Sequence, residues 1–424
     1  MTYTQMSREE LLAEKAELEA KYDIYKSKGL KLDMSRGKPG AEQLDISRPM
    51  LDVLTSESDL TTDEGVDCRN YGVLDGIPAV KKMFADILEV DPSEVFVGGN
   101  SSLNLMFDVI SCFMTKGIAG CEPWIKQEGI KFLCPVPGYD RHFGITEYYG
   151  IEMINVPMDE NGPDMDMVEK LVSEDEKIKG IWCVPKYANP SGITYSDEAV
   201  RRFAALKPAA KDFRIMWDNA YVIHDAAPVG DKLLSLMDEC KKNGTQDMVM
   251  MFTSTSKITF PGAGVSAFAC SEANMKVLKA RYNFQTIGFD KINQLRHLRY
   301  LKDSKGLIEY MQKHRAVIEP KFDVVLNALE SSVKATGAAT WQKPKGGYFI
   351  SVDVTEGTAK EVVQLCKEAG VVLTGAGATY PYKKDPKDSN IRIAPTYPSV
   401  DELAQAIEIF CVCTKLAAVK KLLG

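Results

Sequence analysis

Three apolar runs in the middle of the chain each end in a cluster of polar residues, and this pattern constrains the fold most. The runs are Ile181–Pro185, Phe213–Trp217 and Met248–Phe252. Between about 78 and 255, short apolar runs alternate with helical patterns, which predicts βαβ units and a parallel sheet with helices on both faces. In such open sheets, ligands bind beyond the carboxyl ends of the strands. We therefore expect the three polar clusters to form one site.

The three clusters supply a lysine, a carboxylate, a phenol and an amide. In chain order they contain Asn189, then Asp218 and Tyr221, then Ser254, Ser256 and Lys257. An amine in a partly desolvated site has a lowered pKa and can form a Schiff base with an aldehyde. A carboxylate can keep a pyridine nitrogen protonated, so that the ring withdraws electrons from a carbanion. The set therefore suits pyridoxal phosphate.

Each of these residues also has an ordinary structural explanation. Most lysines are simply exposed on the surface, and Asp218 is in a suitable position to cap a helix or close a turn. Asn189 begins the sequence Asn-Pro-Ser-Gly, which is a strong turn signal. Only the combination favours a functional site.

Residues elsewhere in the chain extend this candidate site. The strand-like run Val95–Val97 leads through two glycines to Ser101 and Ser102 at the start of a helix. A helix N-terminus binds phosphate through its backbone N–H groups and its dipole, and Ser254 and Ser256 could add hydroxyl donors. A plain turn is the alternative explanation.

Two further side chains complete the set of candidates. Tyr139 follows the strand-like run Phe132–Cys134 and could stack on a pyridine ring, although a core tyrosine is the more ordinary interpretation. Arg392 lies in the late strand Asn390–Ala394 and could bind a carboxylate through two hydrogen bonds. The alternative for Arg392 is the solvent face of that strand.

Size and composition exclude several classes of function. The chain has 424 residues, which is more than one domain with a single ordinary hydrophobic core contains. We therefore predict a large domain at 51–315 and a smaller one formed by 1–50 and 316–424. Apolar and charged contents of 45% and 26% are typical of a soluble globular protein. The net charge of −7 argues against nucleic acid and anionic membranes as partners.

Other patterns predict the compartment and exclude a metal site. No signal-peptide pattern is present, and no apolar run approaches the roughly 18 residues of a membrane span. The ten cysteines include no CxxC pair, and many lie in apolar runs, which predicts reduced thiols in a cytoplasmic protein. The four histidines show no metal-binding spacing, so we expect no metal.

Taken together and in order, the motifs resemble the class I/II aminotransferases of the fold-type I pyridoxal-phosphate enzymes. The likeness covers nearly the whole chain. It is carried by Arg69–Gly76, Ser101-Ser102, Tyr139, Asn189–Gly192, Asp218–Tyr221, Ser254–Lys257 and Asn390–Ile393. The loop Ser35–Gly40 and the segment Thr259–Gly264 are most similar to a divergent bacterial aspartate aminotransferase branch.

The resemblance implies a fold and a set of roles. It implies an α/β fold with a three-layer α/β/α large domain, a mostly parallel sheet and a smaller α+β domain. Lys257 would carry the cofactor and act as general base and acid. The resemblance also implies a homodimer, in which Tyr71 of one subunit reaches the phosphate bound by its neighbour.

The implied reaction is ping-pong transamination from an amino acid, aspartate first, to 2-oxoglutarate. Arg392 would bind the substrate α-carboxylate, with Asn189 and Gly37 as further substrate contacts. A second cation must hold the distal carboxylate of a dicarboxylic substrate. Arg36 is the first candidate for it and Arg141 the second, and surface ion pairs are an equally good explanation for both.

The chain departs from the resembled pattern at one place. The family usually has a phosphate-binding arginine seven or eight residues after the lysine, and here those positions are Gly264 and Val265. Backbone N–H groups, hydroxyls, Tyr71 or a distant cation would then have to hold the phosphate.

Other functions remain open from the sequence. An aminotransferase specific for alanine or an aromatic amino acid is one, and a fold-type I lyase or decarboxylase is another. A non-catalytic, ligand-sensing regulator with an aminotransferase-like domain is the least favoured, because the N-terminal helix is too short for a winged-helix module.

Overall fold

The computed structural model describes all residues from Met1 to Gly424. The α-helices are α1 (Arg8–Ser27), α2 (Ala41–Ser47), α3 (Pro78–Leu88), α4 (Ser102–Lys116), α5 (Asp140–Tyr148), α6 (Met165–Glu174), α7 (Asp197–Ala204), α8 (Leu236–Asn243), α9 (Glu272–Gln285), α10 (Lys291–Leu301), α11 (Ser304–Ser332), α12 (Ala359–Glu368) and α13 (Val400–Leu423). The strands are β1 (Leu32–Asp33), β2 (Val95–Val97), β3 (Lys131–Val136), β4 (Glu152–Asp159), β5 (Gly162–Pro163), β6 (Ile178–Cys183), β7 (Arg214–Asp218), β8 (Val249–Ser254), β9 (Ser266–Cys270), β10 (Ala339–Trp341), β11 (Ile350–Val354), β12 (Val371–Val372) and β13 (Asn390–Ile393).

An eight-stranded sheet forms the centre of the molecule, in the order β2-β9-β8-β7-β6-β3-β4-β5. The run from β4 through β3, β6 and β7 to β8 is parallel throughout. Strands β9 and β5 pair antiparallel with their neighbours β8 and β4. The α/β fold class with a mostly parallel sheet is therefore confirmed.

The central strands are buried on both faces, as a three-layer arrangement requires. Every residue of β6, β7, β8 and β9 is buried. Because successive side chains of a strand point to opposite faces, Ile215 and Trp217 join one hydrophobic core while Met216 joins the other. Helices cover both cores.

The carboxyl ends of β6, β7 and β8 lie side by side, as the apolar runs predicted. The register aligns Ile181 with Ile215, and Ile215 with Val249. The first of the three strands ends two residues before the predicted limit at Pro185, because proline has no N–H group to continue the ladder. The parallel neighbour β3 ends at the same edge and leads to Tyr139.

The C-terminal third of the chain contains a second, antiparallel sheet in the order β10-β11-β13. A two-stranded parallel sheet joins β1 to β12, with Leu32 opposite Val371. Helix α1 contacts α13, so the N-terminal segment packs on the C-terminal third. Helix α11 runs without a break through residue 315, and the division into 51–315 and the remainder stays a prediction.

Two helix starts follow their sequence signals. Ser7 and Glu10 bond each other's backbone N–H groups at the start of α1, and Ser399 and Glu402 do the same at the start of α13. Both are capping boxes, the Ser-x-x-Glu arrangement that typically begins a helix. All ten cysteines are free thiols.

None of the helices combines the length and the apolar character that a membrane crossing requires. No three histidine, cysteine, aspartate or glutamate side chains are grouped so that they could hold a metal ion.

Candidate active site

A cavity of about 590 Å³ lies at the carboxyl edge of the central sheet. It brings together all but one of the side chains that the sequence singled out. Its lining includes Arg36, Gly37, Ser101, Ser102, Tyr139, Arg141, Asn189, Asp218, Tyr221, Ser254, Ser256, Lys257 and Arg392. The exception is Tyr71, which lies outside the cavity and is 82% exposed.

Lys257 lies in the turn that follows β8, and its amine is unpaired. The Nζ atom makes no hydrogen bond or ion pair and lies 4.9 Å from the centre of the Tyr221 ring. Burial lowers the pKa of Lys257, while the charge of Asp218 acts in the opposite direction. A larger fraction of this amine is therefore neutral and nucleophilic than for an exposed lysine.

Side chains from distant segments hold the backbone of Lys257. Its carbonyl accepts hydrogen bonds from Tyr348 Oη at 3.1 Å and His224 Nε2 at 3.3 Å. Tyr348 Oη in turn accepts from Gln43 Nε2 at 2.9 Å. Burial, and then the charge of Lys257, lower the pKa of His224 to about 3, so its imidazole is neutral. Sequence reasoning missed these supports, because no local pattern marks them.

Asp218 is almost completely buried and is held by a histidine. Its Oδ2 atom lies 3.0 Å from His142 Nε2, and the imidazole of His142 stacks on Trp182 with 4.4 Å between ring centres. The other carboxylate oxygen, Oδ1, is buried and has no partner. This oxygen is available to accept a hydrogen bond from a ligand N–H.

His142 is a site residue that the sequence analysis overlooked, since the four histidines were treated as scattered. The available signal was its spacing. Tyr139 immediately precedes α5 and His142 lies three residues later in its first turn, and the two rings meet edge to face at 4.9 Å.

Four serines and the N-terminus of α4 form one end of the cavity. Ser101 caps the helix, accepting a hydrogen bond from Leu103 N at 3.3 Å. Ser256 Oγ donates to Asn100 O at 3.2 Å and accepts from Ser254 Oγ at 3.1 Å. Hydroxyls and helix N–H groups together suit a phosphate.

The structure explains why no arginine follows the lysine at the usual distance. A Cβ atom on Gly264 would lie only 2.9 Å from the backbone oxygen of Asn100. The side chain of Val265 is buried in the hydrophobic core. Neither position can direct a cation into the serine-lined end of the cavity.

Arg392, on β13, also lines the cavity and is mostly buried. Its Nη1 donates to Asp140 Oδ1 at 3.1 Å and to Asn189 Oδ1 at 3.3 Å, and its Nη2 donates to Thr374 Oγ1 at 3.3 Å. Its guanidinium lies over the ring of Phe349 at 4.7 Å. These contacts fix the plane of the guanidinium.

Further cations line the wall of the cavity on the side of the Ser35–Gly40 loop and the start of α5. Arg36 and Arg141 are exposed, and neither guanidinium makes a hydrogen bond or an ion pair within the protein. Lys38 lies over the ring of Tyr397 at 3.8 Å. Two carboxylates, those of Asp140 and Asp218, also line the cavity, so positive charge is in excess.

The chemistry of the cavity fits pyridoxal phosphate. An unpaired amine is available for an aldehyde, a buried carboxylate oxygen without a partner for a pyridinium N–H, and a hydroxyl-rich helix N-terminus for a phosphate. The structure thus contains a complementary group for each functional part of the cofactor.

Comparison with known proteins agrees with this chemistry. The sequence profile of the family described as aspartate amino-transferase matches residues 6–424. An aspartate aminotransferase of Corynebacterium glutamicum is 46% identical over 403 residues, which cover 95% of this chain and 93% of the relative. The crystal structure of an aspartate transaminase from that organism superposes with a TM-score of 0.97 at 44% identity, covering 99% of both chains.

A more distant structure shows the same fold. The α-aminoadipate aminotransferase of Thermus thermophilus, solved in complex with N-(5'-phosphopyridoxyl)-L-leucine, has a TM-score of 0.73 at 20% identity and covers 99% of this chain and 96% of the other. Because the family profile spans almost the entire sequence, the chain belongs to the aspartate aminotransferase family and is a pyridoxal-phosphate-dependent aminotransferase of fold type I.

Proposed function

We propose that the protein transfers the amino group of aspartate to 2-oxoglutarate by a ping-pong mechanism. The observation that carries this proposal is the set of three arginines around one cavity, of which Arg36 and Arg141 have no counter-ion. A dicarboxylic substrate needs one cation for each carboxylate, since an unpaired buried charge is unfavourable. The relatives named as aspartate aminotransferases support the same substrate.

Lys257 is the residue that we propose to hold the cofactor aldehyde and to move the proton. When bound, pyridoxal phosphate supplies an electron-withdrawing ring that stabilises the charge on the substrate α-carbon after its proton leaves. The lowered pKa of Lys257 makes its Nζ a competent base for that proton, and the same atom can return a proton in the second half-reaction.

We propose that Asp218, His142 and Tyr221 control the protonation of the cofactor at its pyridine nitrogen and its 3-oxygen. Asp218 Oδ1, which has no partner in the protein, would accept the N–H of the pyridinium, and His142 holds the carboxylate in place through Oδ2. Burial raises the pKa of Tyr221 well above its ordinary value, so its phenol stays protonated and can donate to the 3-oxygen. Tyr139 lines the same cavity and would stack on one face of the ring.

The substrate carboxylates are assigned to the arginines. Arg392, held by Asn189, binds the α-carboxylate, and Asn189 and Gly37 contact the bound substrate. Arg36 binds the distal carboxylate, and Arg141 is the second candidate for that role.

The phosphate is assigned to Ser101, Ser102, Ser254 and Ser256, assisted by the α4 dipole. Tyr71 completes this end from a second copy of the chain, which is consistent with the 82% exposure of its side chain. We therefore propose a homodimer, and sedimentation of the active enzyme as a monomer would contradict that assembly. We also propose a cytoplasmic location, as the pattern of cysteines predicts.

The substrate proposal is tested by the specificity constant. We expect kcat/KM for aspartate to exceed that for alanine and phenylalanine, with 2-oxoglutarate as acceptor. Arg36→Ala should lower kcat/KM for aspartate by roughly 10- to 100-fold, the effect of losing a charged hydrogen-bond donor, and leave that for alanine nearly unchanged.

Arg141→Ala provides the matched control on the same cavity. If Arg141→Ala loses the preference for aspartate and Arg36→Ala keeps it, Arg141 is the residue that binds the distal carboxylate, and aspartate remains the proposed substrate. Preference of the wild-type enzyme for alanine or an aromatic donor would overturn the aspartate proposal.

A further inference from the structure

Asp140 makes an ion pair with the guanidinium that we assign to the substrate. Its Oδ1 atom lies 3.1 Å from Nη1 of Arg392, and Asp140 is the first residue of α5. Asp218, the other carboxylate that lines the cavity, pairs instead with His142. Asp140 therefore occupies the position where a substrate carboxylate would be expected.

The donors of Arg392 are almost fully used when Asp140 is in place. Nη1 donates to Asp140 and Asn189, and Nη2 donates to Thr374. Each of these nitrogens carries two hydrogens, so both on Nη1 are engaged and one on Nη2 is free. The remaining donor, Nε, is buried away from solvent and has no partner.

A carboxylate binds an arginine most strongly through two parallel N–H···O bonds. The edge of Arg392 formed by Nη1 and Nη2 can offer this pair only if Asp140 or Asn189 releases Nη1, and Asp140 is the partner whose negative charge a substrate carboxylate can replace. The other edge includes Nε, which is buried away from solvent, so that edge is not available to a substrate carboxylate. We propose that Asp140 neutralises Arg392 in the substrate-free enzyme and is displaced by the substrate α-carboxylate, so that Asp140 sets substrate affinity by competition.

The burial of the two partners is consistent with such an exchange. The Arg392 side chain is only 8% exposed, and an isolated charge in that position would be unfavourable without a counter-ion. The Asp140 side chain is 36% exposed, so it can turn into water once another carboxylate takes its place. Asn189 and Thr374 are neutral and can keep their hydrogen bonds to Arg392 throughout.

This inference rests on the proposed role of Arg392 and adds a prediction about affinity. Because the amino acid and the 2-oxo acid both carry the carboxylate that displaces Asp140, removal of the Asp140 charge should strengthen the binding of both. A purely structural role of Asp140 would instead leave affinity unchanged or weaken it.

The test is Asp140→Asn in the pyridoxal-phosphate-loaded enzyme. We expect KM for aspartate and for 2-oxoglutarate to fall by about threefold to tenfold, the scale of a half-exposed ion pair, with a much smaller change in kcat. Maleate, a dicarboxylate without an amino group, should bind more tightly by the same factor, as measured by titration of the cofactor absorbance.

Asp197→Asn is the matched control, because Asp197 is the first residue of α7 and lies outside the cavity. We expect it to change neither KM nor maleate affinity. Asp140→Ser, checked for folding by its thermal transition, removes the charge without introducing the carboxamide of asparagine, whose oxygen could still accept a hydrogen bond from Nη1.

Arg392→Lys separates failure of the inference from failure of the proposed function. If Arg392→Lys leaves KM unchanged, Arg392 does not bind the α-carboxylate and both the assignment and the inference fall. If Arg392→Lys raises KM while both Asp140 variants bind maleate no more tightly than wild type, only the competition by Asp140 is overturned.

Discussion

Unpaired polar atoms mark the important residues of this cavity. Lys257 Nζ has no partner, and Asp218 Oδ1 is buried without one. Buried polar atoms in folded proteins are nearly always hydrogen-bonded, so exceptions that line a cavity indicate where ligand atoms bind. Asp218 is the last residue of β7, and Lys257 lies in the turn that follows β8.

Lys257 is expected to carry the cofactor covalently. Reduction of the purified protein with borohydride should fix the cofactor to the peptide that contains Lys257, as peptide mass analysis would show. Lys257→Ala should lose this attachment. Its turnover should also fall by roughly 10²- to 10⁴-fold or more, since that is the range of general acid–base catalysis alone.

Lys38→Ala serves as the control for this experiment, because Lys38 lines the same cavity but is exposed. The variant should retain the borohydride-stable attachment. Recovery of the cofactor on any other lysine of the wild-type protein would refute the assignment.

Sequence patterns predicted the residues at strand ends but not the residues that support them. Lys257 and Asp218 follow apolar strands, and this local signal is visible in the chain. Asp218 meets His142 across 76 positions of sequence, and the Lys257 carbonyl meets Tyr348 across 91. Only the folded arrangement of the strands brings such pairs together, so no local pattern could identify them.

At the scale of elements, the loop Ser35–Gly40 lies against the strand end that carries Phe349. A Cβ atom on Gly37 would lie 2.2 Å from the Phe349 ring, which itself contacts the Arg392 guanidinium. The loop can approach the ring only because Gly37 has no side chain. The sequence predicted an irregular loop here, but not this close contact with Phe349.

Gly37→Ala should therefore disturb both substrate binding and folding. Either the loop or Phe349 must move, so we expect KM for both substrates to rise by roughly tenfold and the free energy of unfolding to fall by about 1–3 kcal/mol, as for overpacking elsewhere. Steady-state kinetics and urea denaturation measure the two effects.

Gly144→Ala makes the same change in α5, where a Cβ atom would meet nothing within 4 Å. We expect normal KM values and undiminished stability for this control. An equal rise in KM in both variants would show that the close approach of Gly37 to Phe349 is unimportant for binding.

At the scale of the whole molecule, three buried histidines link stability to pH. Burial lowers the pKa of His224 to about 3 and those of His297 and His314 to about 4, from an ordinary value of 6.5. The unfolded chain takes up protons on these residues below pH 6.5, while the folded protein does not until about pH 4. Stability from this source is therefore full above pH 6.5 and decreases as the pH falls from 6.5 to 4.

The urea concentration at the midpoint of unfolding should accordingly be lower at pH 5 than at pH 7. Each histidine contributes up to about 1.4 kcal/mol for every pH unit below 6.5. In His314→Gln, the free energy of unfolding should depend less steeply on pH, by about that amount. Equal slopes in the variant and the wild type would contradict the explanation.

The pairing of β1 with β12 has a consequence for synthesis of the protein. Leu32 is synthesised long before Val371, the residue opposite it in this pair of strands. The loop with Arg36 and Gly37 follows β1 directly, so that wall of the cavity cannot be fixed while the chain is still growing. A nascent chain that already contains Lys257 and Asp218 still lacks both the Tyr348 hydroxyl that orients the lysine and Arg392. Competence for transamination therefore requires that synthesis has passed Arg392, whatever the order in which the strands of the central sheet form.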